Sequence, residues 1–166
     1  VNSSSLQSQL LLNLEEYFPF PLDHFQIEAI KAINSGNSVV LTAPTGSGKT
    51  LIGEFAIYRG LSHESRVFYT TPLKALSNQK FRDFVNQFGE KKVGLLTGDI
   101  SINRDAPILV MTTEIFRNML YGEFEEFDDP LVNLESVILD ECHYMNDPQR
   151  GTVWEETIIH CPSRTQ

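Results

Sequence analysis

Short, almost unbroken apolar runs punctuate the chain: Val39-Val40-Leu41, Val67-Phe68-Tyr69, Val93 with Leu95-Leu96, Ile108-Leu109-Val110-Met111 and Val137-Ile138-Leu139. Runs this short, rich in β-branched residues and without polar alternation, predict strands buried on both faces of a parallel sheet. Between most of them the apolar residues recur at helical spacing. Leu51, Ile52, Phe55 and Ala56 share one face, Phe81, Phe84, Val85 and Phe88 a second, and Ile115, Phe116, Met119 and Leu120 a third. Gly60, Gly89 and Gly122 stand where those helices are expected to stop. Upstream, Leu6, Leu10, Leu11 and Leu14 predict an amphipathic lead-in helix, which Pro19-Phe20-Pro21 breaks ahead of a second helix from about Asp23 to Asn34. The repeated strand-helix-strand order predicts an α/β fold with a doubly wound parallel sheet, whose ligands sit at the carboxyl ends of the strands.

Composition narrows this picture. The 166 residues, 41% of them hydrophobic, suit one α/β domain with a substantial core. We divide the chain into a helical lead-in, residues 1–35, and a main domain, residues 36–166. No apolar run approaches the roughly 18 residues of a membrane span, and VNSSSLQSQL lacks the basic-then-apolar order of a signal peptide, so the expectation is a cytoplasmic chain with no membrane partner. Cys142 and Cys161 suggest no disulfide framework. Drawing Cys142-His143 and His160-Cys161 as a zinc site is disfavoured, because adjacent residues seldom aim at one ion. The 13 Lys plus Arg against 22 Asp plus Glu give a net charge of −9, which weighs against a surface that grips nucleic acid all over. Glu123, Glu125, Glu126, Asp128 and Asp129 concentrate part of that charge in a stretch that reads as a solvated loop. A local contact built from backbone amides and a few side chains stays open.

The chemistry begins at LTAPTGSGKT. The predicted strand Val39 to Thr42 runs into Ala43-Pro44-Thr45-Gly46-Ser47-Gly48-Lys49-Thr50, and a helix follows. That is the context of a phosphate-binding loop: backbone N–H groups and the helix N-terminus face the phosphates, Lys49 reaches the β and γ oxygens, and Thr50 ligates Mg²⁺. Gly46 and Gly48 let the backbone wrap closely, although Ala43 replaces the first glycine of the general pattern. A nucleoside triphosphatase of this kind also needs an acidic strand end elsewhere. Ser136-Val137-Ile138-Leu139 runs into Asp140-Glu141-Cys142-His143, so that Asp140 can hold the metal through its water shell and Glu141 can orient and deprotonate the attacking water. Adjacent carboxylates on a strand end would otherwise read as a solvated turn; the upstream Lys49 turns the balance toward catalysis.

The loop together with DECH resembles the superfamily 2 helicases of the DExH type, whose AxTGxGKT form accommodates Ala43. TTPLKALSNQK (70–80), Thr97-Gly98-Asp99 and MTTEIFRNML (111–120) look like three further motifs of that family, and DECHYMNDPQRGTVWEETI is similar to its superkiller-like branch of RNA helicases, including bacterial and plastid members. The resemblance runs from residue 18 to about 160 and implies the first RecA-like domain of an enzyme that couples ATP hydrolysis to RNA unwinding or remodelling. It implies adenine recognition by Gln26 and stacking by Phe20, where the residues alone leave Asp23-x-x-Gln26 equally readable as a helix capping box. It implies RNA-phosphate contacts at Thr71, Pro72, Lys74, Gly98, Thr112 and Thr113, positions that singly read as strand-to-helix junctions with Thr as N-cap. His143 is implied to couple ATP to the RNA-binding edge, with Arg150 and Glu155 in the same relay.

The resemblance also implies a partner absent from the sequence: a second RecA-like domain of the same full-length chain, carrying an arginine finger whose loss costs roughly 10³- to 10⁵-fold in turnover. Residues 1–166 stop before the family's Ser-Ala-Thr motif, so the expectation is an incomplete sheet and an isolated fragment that is nearly inactive. A DNA helicase or translocase on the same fold, and a nucleotide-gated nucleic-acid-binding module without turnover, remain the alternatives.

Overall fold

The computed structural model describes residues 18–44, 46–122, 129–146, 151–163 and 165–166. The expected lead-in helix, Thr45, the acidic run from Glu123 to Asp128, and Arg150 lie outside these. The helices are α1 (His24–Asn34), α2 (Thr50–Ser62), α3 (Lys74–Phe88), α4 (Thr113–Leu120) and α5 (Gly151–His160). The strands are β1 (Arg66–Thr71), β2 (Val93–Leu96), β3 (Ser101–Ile102), β4 (Ile108–Thr112) and β5 (Leu134–Leu139), with short 3-10 turns at Glu90–Lys92 and Cys142–Asn146. The chain forms two compact units, Val1–Arg59 with Gln166, and Gly60–Thr165.

In the first unit, α1 starts at Asp23, whose capping box with Gln26 satisfies donors that a helix N-terminus otherwise leaves orphaned. The face predicted on α2 is buried as expected: Leu51, Ile52 and Phe55 pack against Ala29, Ile30 and Ile33 of α1 and against Phe18. Ile30 and Phe55 are fully enclosed, and burying a side chain of this size is worth about 1.5–3 kcal/mol. Phe18 meets Tyr58 edge-on, with ring centroids 6.2 Å apart. One expectation fails here. Residues 37–44 form no strand, and Val40 is 90% exposed. An apolar run becomes a strand only when its N–H and C=O groups find a ladder, and this one has no partner among the described residues.

The second unit is built on a five-stranded sheet in the order β3-β2-β4-β1-β5. The pairs β2–β4, β4–β1 and β1–β5 are parallel, and β3 adds a two-residue antiparallel edge. Every residue of β2 and β4 is buried, which explains their lack of polar alternation. β5 is only half covered, and its outer edge carries no strand among the described residues. Phe68, Leu109 and Met111 of the sheet pack against Ile115, Phe116 and Met119 of α4, the third predicted stripe. Arg66 pins the amino ends of the strands by donating to the carbonyls of Arg104, Ala106 and Pro130, at 2.8, 3.4 and 3.1 Å. α2 does not stop at Gly60. A Cβ there would lie 2.3 Å from Val67 Cγ2, so Gly60 serves close packing rather than termination. α3 does end at Gly89, whose φ is 92°.

Candidate nucleotide and nucleic-acid sites

In the first unit, the turn before α2 owes its shape to two glycines. Gly46 and Gly48 have φ of 82° and 79°, a left-handed geometry that costs an L-residue roughly 1–2 kcal/mol. Leu51 N–H donates to the Gly48 carbonyl at 3.2 Å and Ile52 N–H to that of Lys49 at 3.0 Å, so the turn winds directly into the helix. Thr50 is the first helical residue and is exposed. The Lys49 ammonium folds back onto its own loop, donating to the carbonyl oxygens of Ala43 and, at 2.9 Å, Pro44. Ser47 Oγ is buried without a hydrogen-bond partner among the described residues, a costly condition for a hydroxyl. An unpartnered hydroxyl, an ammonium and the N–H groups of a glycine turn at a helix start form a donor set that fits a chain of phosphates.

Gln26, 5% exposed, joins this turn to α1. Its Oε1 accepts from Asp23 N–H at 2.8 Å, and its Nε2 donates to the Gly48 carbonyl at 3.3 Å. The capping geometry is therefore realised, together with a bond to the phosphate-loop turn that sequence spacing does not disclose. A Cβ at position 48 would come within 2.7 Å of that Nε2, a second reason for glycine. Phe20 is 53% exposed, its ring 6.2 Å from that of Phe18.

In the second unit, β1, β2, β4 and β5 are parallel, so the residues that follow them share one edge. Asp140 directly follows β5, with its N–H on the Thr70 carbonyl at 3.0 Å. Its carboxylate is held on both oxygens: Oδ2 accepts the Tyr69 hydroxyl at 2.6 Å, and Oδ1 accepts the Glu141 N–H at 2.9 Å. Tyr69, which sequence reasoning missed because it sits inside an apolar strand, is 1% exposed and packed edge-on against Phe84 at 5.0 Å. Glu141 has φ of 58°, a left-handed backbone that costs a non-glycine residue on the order of 1–3 kcal/mol. Its Oε2 lies 3.1 Å from Nδ1 of His143, which is itself exposed. Glu155 is exposed on α5, where the acid that makes an ion pair is its neighbour, Glu156.

The same edge carries a cleft of about 580 Å³. Its walls bring together Pro72 and Lys74 after β1, Gly98 after β2, and Thr112 and Thr113 after β4, five of the six positions singled out for phosphate contact. Thr71 stands apart. It is 1% exposed, and its hydroxyl is spent on Ser77 Oγ at 2.7 Å and the Leu73 carbonyl at 3.0 Å, which stabilises the start of α3. Thr113 Oγ1 is buried and has no partner among the described residues. Lys74 Nζ is held by Asp99 Oδ1 at 2.9 Å, and Thr97 Oγ1 donates to the same oxygen at 3.0 Å. These bonds, led by that from Lys74, hold the Asp99 carboxyl below its ordinary range. The cleft is also lined by Glu114, Asn118, Val153 and Trp154, which the sequence reading had not singled out. Val153 and Trp154 come from α5, whose approach to this edge no local pattern announces.

Residues 23–166 match the DEAD/DEAH box helicase family. The chain belongs to that family. Members of this family are ATP-dependent enzymes. This helicase domain is 54% identical over 151 residues to "DExH-box ATP-dependent RNA helicase DExH15 chloroplastic" of Arabidopsis thaliana, covering 90% of the chain and 13% of that protein. It is 47% identical to "Antiviral helicase SKI2" of Saccharomyces cerevisiae, covering 95% of the chain and 12% of that protein. The chain thus spans a small part of the relatives it matches. Among solved structures, Mycobacterium smegmatis helicase Lhr bound to ssDNA and AMP-PNP superposes with a TM-score of 0.68 at 26% identity, covering 98% of this chain and 24% of that one. A hypothetical ATP-dependent RNA helicase from Sulfolobus tokodaii, at 21% identity and TM-score 0.67, shares the fold over 95% of this chain and 48% of that one. The five-stranded, mostly parallel sheet is that of a helicase RecA-like domain. Among the described residues, no helix is long and apolar enough to cross a membrane.

Proposed function

We propose that this domain is the ATP-binding half of an ATP-dependent RNA helicase, acting in the cytoplasm with a second RecA-like domain of the full-length protein to unwind or remodel RNA. The observation that carries the reading is the cleft: Pro72, Lys74, Gly98, Thr112 and Thr113, distant in sequence, line one groove whose buried Thr113 hydroxyl lacks a partner among the described residues. Backbone positions, hydroxyls and a single ammonium suit phosphates rather than base edges, so binding carries little sequence preference. Such a local contact is compatible with the net charge of −9.

On this reading Lys49 leaves the Ala43 and Pro44 carbonyls for the β and γ phosphates of ATP, while Ser47 and the backbone N–H groups of residues 45–48 take phosphate oxygens. Gln26 recognises the adenine edge and Phe20 offers its exposed face for stacking. Thr50 and Asp140 would hold Mg²⁺, which when bound neutralises charge developing on the phosphates. Tyr69 and the Glu141 N–H fix the Asp140 carboxylate for that task. Glu141 takes the proton from the attacking water, and its contact with His143 ties this step to the nucleic-acid edge. Thr71 serves the groove indirectly, by ordering the turn that presents Pro72 and Lys74.

The name of DExH15, an ATP-dependent RNA helicase, supports RNA as the substrate. A DNA helicase is the second reading, favoured by the resemblance to Lhr, which was solved with ssDNA. ATPase and strand-displacement assays on the full-length protein, with matched RNA and DNA and a Glu141→Gln control, test both. RNA-stimulated turnover that Glu141→Gln abolishes is the expected outcome. Stimulation by DNA alone would establish the second reading, and full turnover in Glu141→Gln would remove Glu141 from its role.

A further inference from the structure

We infer that Glu114 and Asn118 form a recognition pair for a ribose 2′-hydroxyl, so that this groove distinguishes RNA from DNA. The inference rests on reading the groove as the nucleic-acid site. The two residues lie four apart on α4, one turn from each other on the same helix face, and both line the cleft. Asn118 Oδ1 accepts from Arg117 Nε at 3.2 Å and from Arg117 Nη2 at 2.8 Å. A guanidinium only donates, so these two bonds settle which end of the amide is oxygen and occupy both of its lone pairs. Arg117 is itself held from the other side, its Nη1 lying 3.5 Å from Glu156 Oε2 on α5. What Asn118 has left is the Nδ2 donor, which has no acceptor among the described residues.

Glu114 is exposed and supplies the opposite function, since an ionised carboxylate only accepts. A phosphate oxygen would satisfy the amide but be repelled by the carboxylate. A hydroxyl satisfies both, accepting from Asn118 and donating to Glu114, and the 2′-hydroxyl is the group that separates RNA from DNA at a given site. The phosphates themselves remain the business of Lys74 and Thr113, elsewhere on the same wall.

The test is equilibrium binding of a labelled single-stranded RNA and the DNA of identical sequence to the full-length protein and to its Asn118→Ala, Glu114→Ala and Lys74→Ala variants, at several salt concentrations. The wild type should prefer RNA. Asn118→Ala should weaken RNA binding about three- to tenfold, the loss of one neutral hydrogen bond, and leave DNA binding and the salt slope unchanged. Glu114→Ala, by removing an acid near the strand, should narrow the RNA-to-DNA ratio even if overall affinity rises. Alanine suits a helix, and melting curves show whether the variants fold. An equal loss on RNA and DNA in Asn118→Ala, or no loss on either, overturns the inference, as does a wild type without RNA preference. Lys74→Ala separates the two levels: if it weakens both nucleic acids the groove reading stands whatever Asn118 does, and if it changes neither, that reading falls with it.

Discussion

Among the described residues Lys74 is the one basic side chain on the groove wall, yet Asp99 already holds it. Asp99→Asn removes the carboxylate, leaves the shape, and frees the ammonium for a phosphate. The pair is open to water, its side chains 56% and 64% exposed, so the clamp is weak despite its 2.9 Å length. The expected gain in nucleic-acid affinity is accordingly about two- to fivefold. If Lys74 engages a phosphate more fully, the salt slope steepens by up to about 0.7 for a single strand. Anisotropy titrations over a range of salt read both quantities, and Lys74→Ala combined with Asp99→Asn must abolish the gain. Unchanged or weaker binding in Asp99→Asn refutes the idea that Asp99 restrains Lys74. The pH dependence has a definite sign. Because its partners lower the Asp99 pKa, the carboxylate is ionised throughout the neutral range, and the clamp opens only as pH falls below the ordinary value of 3.8. The clamp therefore contributes no change in affinity near neutrality.

Tyr69→Phe removes the hydroxyl that orients Asp140 and should destabilise the fold by about 1.5–3 kcal/mol, the range for a hydrogen bond to a charged group; melting curves measure this, while a raised Mg²⁺ requirement for ATP turnover reports the lost orientation, and a variant indistinguishable from wild type in both would show the bond to be idle. Gly48→Ala meets left-handed strain and a Cβ 2.7 Å from Gln26 Nε2. Adding Gln26→Ala should relieve the clash but not the strain, giving a double-mutant coupling of about 0.5–3 kcal/mol; strict additivity would mean that Gln26 simply swings away.

Sequence and structure divide the account along physical lines. Local periodicity was sufficient for four strands and for α2 through α4, and the proline break for α1, because period and chain breakers are written into neighbouring residues. The glycines of the phosphate turn were equally legible, since positive φ is a property of single residues. Gly60 was misread because its demand comes from Val67 on a neighbouring element, and Val39 to Thr42 because a strand exists only with a partner beside it. Gln26 satisfies its own helix start and the phosphate turn at once, a double role that spacing could present only as a choice. The groove belongs to tertiary structure alone. Chain order lists Thr71 with Pro72 and Lys74, but parallel packing turns its hydroxyl inward while bringing Glu114, Asn118 and Trp154 to the wall. Tyr69 looked like core from its run and is core; its hydroxyl matters because strand register sets it against Asp140. Residue types thus fixed the chemistry available to this domain, and long-range packing decided which of those groups share a site.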